Sequence, residues 1–238
     1  GVIMLNSLKI KIMRKTKIIN GFKHIKYTGP KYTNETMEQK SLEFYELMNQ
    51  RRTIRDLSNK PIKKTIIDRL IQTASTAPSG ANKQPWTFCA ISCVSLKKKI
   101  RIAAEKEEKE NYNHRMPDQW LNDLKPMATD WFKPFLVDAP WLIVVFKQAY
   151  DLDHNEKQNN YYVNESVGIA CGILITAIHQ AGLATLPHTP SPMNFLTKIL
   201  NRPKNERPYL LLPVGYAADH AYVPDLKRKS LRKVAIYY

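Results

Sequence analysis

The chain has 238 residues, 43% hydrophobic and 24% charged, which excludes wholesale disorder and allows a full core. A net charge of +16, from 37 Lys plus Arg against 21 Asp plus Glu, favours anionic partners, but no stacking-aromatic or zinc-finger pattern accompanies it, so nucleic acid is not expected. Cys89, Cys93 and Cys171 cannot build a disulfide framework and fit a reducing compartment, while the composition assigns no cellular location.

Residues 1–21 mix Ile and Met with Lys9, Lys11, Arg14, Lys15 and Lys17 and read as a poorly ordered basic tail. A basic amphipathic stretch of this kind can also lie on a membrane surface, and the start at Gly1 is compatible with an upstream segment that carries an anchor. The longest apolar run, Val167 to Ile178, is well short of the ~20 residues a bilayer requires. No repeat or composition shift marks a second domain, so a single domain is expected.

Leu42, Phe44, Tyr45, Leu47 and Met48 predict a helix, with Arg51 and Arg52 at or just beyond its end. Pro61 opens a second helix whose core face is Ile66, Ile67, Leu70 and Ile71, closing before Pro78. Ala77-Pro78-Ser79-Gly80 is a tight turn, and Trp86 to Val94 reads as a mostly buried strand with the Cys89 and Cys93 thiols on one face, better explained as buried thiols than as a metal pair. Ser95 caps a helix from Leu96 to about Tyr112, in which Lys97, Lys98 and Lys99 read as a solvated face. Its second half, Glu105 to Glu110, has no apolar face and must be solvated or cover something other than the core.

Asn111 to Asp138 is a long aromatic-bearing excursion of the kind that forms active-site lids. Trp141 to Phe146 is an apolar strand, and Asp151 to Asn160 a polar loop. Tyr162 to Ala181, ended by Gly182, is the most hydrophobic helix, with Gly168 and Gly172 four apart; it serves equally as monomer core or subunit interface. A short helix over Met193 to Leu200 and a strand over Tyr209 to Val214 follow.

Guanidinium groups are the favoured planar partners of phosphate, and Arg51-Arg52-Thr53-Ile54-Arg55, the Ser79 turn and Arg228 together suggest one anionic cofactor gripped from several directions. The eight glycines form neither a dinucleotide fingerprint nor a phosphate loop, which disfavours a Rossmann site and leaves flavin mononucleotide, whose single phosphate Arg side chains can hold. Taken singly, Arg51 and Arg52 could instead be helix C-terminal charges facing the dipole.

The segments RRTIR, TAPSGANKQPWTF, EEKENYNHRM, ESVGIACGILITAIHQAGLAT and LLPVGYAADHAYVPDLKRK resemble those of the nitroreductase superfamily, and within it the iodotyrosine deiodinase branch, from about Phe22 to about Ala235. The resemblance implies an α+β fold, a central and mostly antiparallel sheet flanked by helices, in an intertwined homodimer. It makes 22–238 an FMN-binding catalytic domain with FMN at the dimer interface. It assigns Arg51, Arg52, Thr53, Ile54, Arg55, Ser79, Pro187, His188, Thr189 and Arg228 to the cofactor, and Ala81, Glu108, Tyr112 and Lys133 to a halogenated tyrosine substrate.

The Thr189 hydroxyl is implied as the catalytic group facing flavin N5, where a donor favours single-electron over hydride transfer. Pro187 and His188 depart from the Thr residues that precede it in vertebrate members; His188 itself reads as a loop histidine with local hydrogen bonds more readily than as a general acid. The implied reaction is reductive dehalogenation of mono- and diiodotyrosine to tyrosine and iodide, with an NADPH-dependent reductase as electron donor and no metal. The rival within the superfamily is an NAD(P)H-dependent nitroreductase or quinone reductase working by hydride transfer.

Overall fold

The computed structural model describes residues 15–153 and 156–238. Residues 1–14 of the basic tail expected over 1–21 lie outside the described residues, as do His154 and Asn155. The chain divides into two compact units, Gly1–Glu46 and Leu47–Tyr238. In the first, β1 (Thr16–Ile19) pairs antiparallel with β2 (Phe22–Ile25) across Asn20 and Gly21, both at positive φ, and α1 (Asn34–Asn49) begins. None of residues 15–46 is buried, so the described part of this unit has no core of its own.

The second unit is built on a four-stranded antiparallel sheet in the order β3 (Trp86–Ile91), β4 (Trp141–Gln148), β8 (Glu206–Gly215), β7 (Ala184–Thr185). Alternate side chains of a strand point to opposite faces, and both faces of β4 are covered, which is why Trp141 to Phe146 is apolar without a break. Ile143 and Val145 join α2 (Lys64–Ala74) and α6 (Val163–Gln180) through Ile67, Leu70, Val167, Leu174 and Ile178. Leu142, Val144 and Phe146 join the opposite layer, α3 (Val94–Glu110), α5 (Phe135–Asp138) and α7 (Asn194–Ile199), through Ile100, Ala104, Leu136 and Leu196. A bulge between Val145 and Phe146 re-registers β4 on β8 at the strand's end.

Several boundaries differ from the sequence reading. Helix α3 starts at Val94 with Cys93 at its cap position, so Cys93 is exposed and off the strand; Ser95 lies inside the helix, its hydroxyl 3.1 Å from Cys93 Sγ. Cys89 is half-buried and Cys171 alone is fully buried. Lys97 is not solvated: its Nζ donates to Val137 O (3.1 Å) and Ala139 O (2.7 Å), and burial pushes its ammonium down. The Asp151–Asn160 stretch contains a hairpin, β5 (Tyr150–Asp153) with β6 (Glu156–Asn159), rather than a loop; β6 is wholly polar, and only Tyr150 and Leu152 of β5 alternate. The expected lid carries a π-turn at Asn111–Arg115 and the short α4 (Asp118–Leu124). Among the described residues no helix is long and apolar enough to cross a membrane.

Candidate active site

Arg51 to Ser58 leaves α1 in extended form and is clipped along the end of the sheet. Ile54 N donates to Thr185 O (3.2 Å), Ser58 N to Tyr216 O (2.8 Å), and Ala218 N to Asp56 O (2.9 Å). The C-terminal segment reaches the same place: Arg228 donates to Asn49 O (3.0 Å), Asn49 Oδ1 (3.1 Å) and Arg51 O (2.7 Å), and Arg52 donates to Pro224 O. The last turn of α1 holds no basic residue of its own, so the cation at its negative end is Arg228.

Arg51, Arg52, Thr53, Arg55, Lys227 and Arg228 line one cavity of about 380 Å³, closed by Met127, Pro224 and Leu226. None of those lining residues is acidic. Burial first, and then the like charges of Arg228 and Arg52, push the Arg51 guanidinium down. A second cavity of about 560 Å³ shares Arg51 and Arg52 but is otherwise mostly apolar, with Leu47, Ile175, Ile178 and Val223 in its wall. Its makeup suits no phosphate.

The second cluster is built on α3. Lys97, Ile100, Ala104 and Glu108 form one buried stripe, so the face that is aliphatic in the middle of the helix becomes acidic at its end. Glu108 and Lys133 are only 6% and 4% exposed, with Lys133 Nζ 3.7 Å from Glu108 Oε2 and 5.5 Å from the centre of the Tyr112 ring. Lys133 Nζ also donates to Thr129 Oγ1 (3.2 Å) and Asp130 O, while Lys133 N donates to Glu105 Oε1 (2.8 Å). Burial pushes the Glu108 carboxyl up and the Lys133 ammonium down, and each opposes the shift of the other. Burial also raises the Tyr112 phenol, against the nearby Thr129 hydroxyl.

Arg55 ties the two clusters together. It lines the cation cavity, and its charge is felt at Tyr112, Lys133 and His188. His188 is buried, its backbone bonded in both directions to Leu211 (N–O 2.9 and 3.0 Å), whereas Pro187 and Thr189 on either side are exposed. Asn111 Nδ2 donates to Ser191 O (2.8 Å), joining the lid to the Thr189 loop.

The chain matches the Nitroreductase family over residues 48–216. It belongs to that family. Iodotyrosine deiodinase of Haliscomenobacter hydrossis is 59% identical over 215 residues, covering 90% of this chain and 97% of that one. The Homo sapiens protein, iodotyrosine deiodinase 1, is 45% identical over 217 residues, covering 90% of this chain and 74% of that one. A crystal structure of oxidized iodotyrosine deiodinase bound to FMN and 3-iodo-L-tyrosine superposes with a TM-score of 0.70 at 31% identity, covering 82% of this chain and 98% of that one. The antiparallel sheet flanked by helices is the nitroreductase fold that the sequence led us to expect.

Within this nitroreductase chain, Arg51, Arg52, Thr53, Arg55 and Arg228 come together on one cavity, and Glu108, Tyr112 and Lys133 in one buried cluster. Ile54 turns away: it lies on the larger apolar cavity and packs on the α3 layer. Ser79 and Ala81 are not among the residues lining the cation cavity. Their loop is tight against Tyr161, where a Cβ on Gly80 would come within 2.9 Å of Tyr161 O, and Ala81, Asn82 and Gln84 all take positive φ. Such conformations cost about 1–3 kcal/mol each in non-glycine residues and are retained where function holds them. Ser79 Oγ accepts from Gln84 N (2.9 Å), which closes the loop.

Met127, Thr129 and Lys227 were missed in the sequence. Only Lys227, beside Arg228, carried a signal; the other two sit in the irregular excursion, where no periodicity reports a shared face.

Proposed function

We propose that this nitroreductase is an FMN-dependent reductive dehalogenase that converts mono- and diiodotyrosine to tyrosine and iodide. The observation that carries the reading is the buried Glu108–Lys133 pair with Tyr112, set beside Arg55 of a cavity that gathers five cations without an acid. The donor set fits FMN: guanidinium groups offer paired N–H donors to a phosphate dianion, whose charge would offset the burial and the like-charge repulsion that depress Arg51. FMN, when bound, supplies the electrons that reduce the carbon–iodine bond.

In this reading Arg51, Arg52, Thr53 and Arg228 hold the phosphate, and Arg55 places a positive charge between cofactor and substrate. Ile54 braces the motif against the sheet, and Pro187, His188 and Thr189 contribute their loop, with the Thr189 hydroxyl as the hydrogen-bond donor offered to the flavin. Glu108 takes the amino group of the amino acid, Lys133 its carboxylate and Tyr112 a further hydrogen bond. In a site shielded from water these contacts are stronger than on a surface. Each carbon–iodine bond consumes two electrons and one proton and yields a carbon–hydrogen bond and iodide. An NADPH-dependent reductase is the proposed source of the electrons.

A homodimer completes the site. Phe22 (74% exposed), Phe44 (52%) and Ile236 (79%) are large apolar side chains left open in a single chain, which a second copy would cover. A second copy covering them would bring its own Ser79 and Ala81 to the cofactor, with the Ala81 N–H meeting the substrate phenolate. The deciding experiment is titration of bound-flavin fluorescence with diiodotyrosine. Quenching at low micromolar ligand or below is expected, and a flavin that does not respond would refute the substrate.

A further inference from the structure

Lys133 reaches the buried cluster from a stretch that is bonded mainly to itself. Its Nζ donates to Thr129 Oγ1 and Asp130 O, and Phe132 N donates to Asp130 Oδ1 (2.8 Å), so these bonds close within residues 129–133. Among the described residues one hydrogen bond joins that stretch to α3: Lys133 N donates to Glu105 Oε1 (2.8 Å). The contact of Lys133 Nζ with Glu108, at 3.7 Å, is beyond hydrogen-bond length.

The bond falls where the chain passes from surface to core. Asp130, Trp131 and Phe132 are exposed, whereas Lys133, Phe135 and Leu136 are buried. Leu136 N donates to Lys133 O (3.2 Å) and Val137 N to Pro134 O (2.9 Å), so the chain turns at Lys133, and Pro134 has no N–H to offer. The Lys133 N–H is thus the amide at which the excursion can be fastened as it enters the turn. Glu105 is itself aimed. Its Oε1 also accepts from Arg101 Nε (2.7 Å), both side chains are largely shielded at 17% and 23% exposed, and the Arg101 guanidinium lies 4.8 Å over the Phe132 ring.

Glu105 and Glu108 are three residues apart on α3, so one turn of helix serves both halves of the buried ion pair. Glu108 supplies the carboxylate, and Glu105 fastens the backbone that carries the ammonium. We propose that Glu105 is a positioning residue: by holding the Lys133 N–H it keeps the Lys133 side chain at Glu108, so that binding need not order it. The bond uses the backbone amide and leaves the donors of the ammonium untouched. The inference rests on the substrate reading above for its ligand, but the bond can be tested without one.

The test uses the FMN-loaded protein with iodotyrosine as the probe. Glu105→Gln keeps the reach and the acceptor oxygen and loses the charge; Glu105→Asp keeps the charge and falls one methylene short of Lys133 N. Freeing one residue that binding must then order is worth about tenfold in affinity. Glu105→Asp should therefore raise the Kd and KM for iodotyrosine about tenfold, with kcat and FMN affinity within about threefold, and Glu105→Gln should stay within about threefold of wild type throughout. The reverse order would assign Glu105 to its ion pair with Arg101 and overturn the proposal. Added to Lys133→Met, Glu105→Asp should cost no more than about threefold further, because its effect passes through Lys133; a full tenfold loss on top would overturn it.

Should Glu105→Asp not fold, amide hydrogen exchange at Lys133, read by NMR, decides. A protected amide in wild type and in Glu105→Gln supports the bond, and an amide that exchanges freely in wild type refutes it. Wild type that binds no iodotyrosine would refute the substrate reading, while the hold of Glu105 on Lys133 would still stand or fall on that exchange rate.

Discussion

The cation cavity and the lid cluster are built in opposite ways. Around the cavity the motif is held mostly by backbone, with Ile54, Ser58 and Ala218 bonded to the sheet end, and the Arg228 side chain adds a clasp on the carbonyls of Asn49 and Arg51. Around Glu108 and Lys133 the holding is by side chains. Glu105 catches Lys133 N, Arg101 lies 4.8 Å over the Phe132 ring, Lys109 5.2 Å over Trp131, and Asn111 reaches Ser191. Backbone clips persist when one side chain changes, whereas side-chain ties can be cut one at a time. Cofactor and substrate binding should therefore be separable by mutation.

The strongest challenge to that contrast is Arg228→Ala, which removes a proposed phosphate donor together with three hydrogen bonds to Asn49 and Arg51. At about 1.5–3 kcal/mol for a charged hydrogen bond, FMN affinity should fall roughly 100-fold, read by flavin retention in equilibrium dialysis. If it stays within threefold, the cavity is not the phosphate site. Next in size, Glu108→Gln should weaken iodotyrosine binding by about 10–100-fold and leave FMN binding unchanged, because it removes the anion and keeps the shape. Parallel calorimetry of both ligands checks this, and equal losses would erase the distinction between the two regions.

The smallest effect is on stability. A His188 that titrates at about 3 when folded and near its ordinary 6.5 when unfolded contributes stability that is complete above pH 6.5 and is lost as pH falls toward 3. Between pH 5.5 and 4 the stability of wild type relative to His188→Gln should drop by about 1.4 kcal/mol per pH unit. Denaturant melts measure it, and a flat difference would mean that the ring is already charged or already wet.

Much of this was legible in the residues. Strands β3, β4 and β8 announce themselves as apolar runs, and Arg is chemically suited to phosphate, so the cofactor half could be read from residue type. The lid half could not. Glu108 stands among Glu105, Glu107 and Glu110, and Lys97 among lysines, and nothing in type alone separates the buried member from its more exposed neighbours. What separates them is helical phase, because Lys97 and Glu108 share the stripe of Ile100 and Ala104. Only resemblance selected Glu108 beforehand. Helix α1 was read from Leu42 because its first turns, Asn34 to Ser41, carry just one large apolar residue, Met37, to set a period.

Neighbouring residues of β4 serve different layers: Val144 faces α3 and Val145 faces α6. Inserting or deleting a single residue there would exchange the two faces and turn both layers inside out. The 111–138 excursion is under no such constraint, since it can lengthen or shorten without shifting any strand's phase. Ahead of its buried end at Lys133–Leu136 that excursion can therefore change length at little structural cost, while the wall beneath it tolerates exchanges of residue but no change of length.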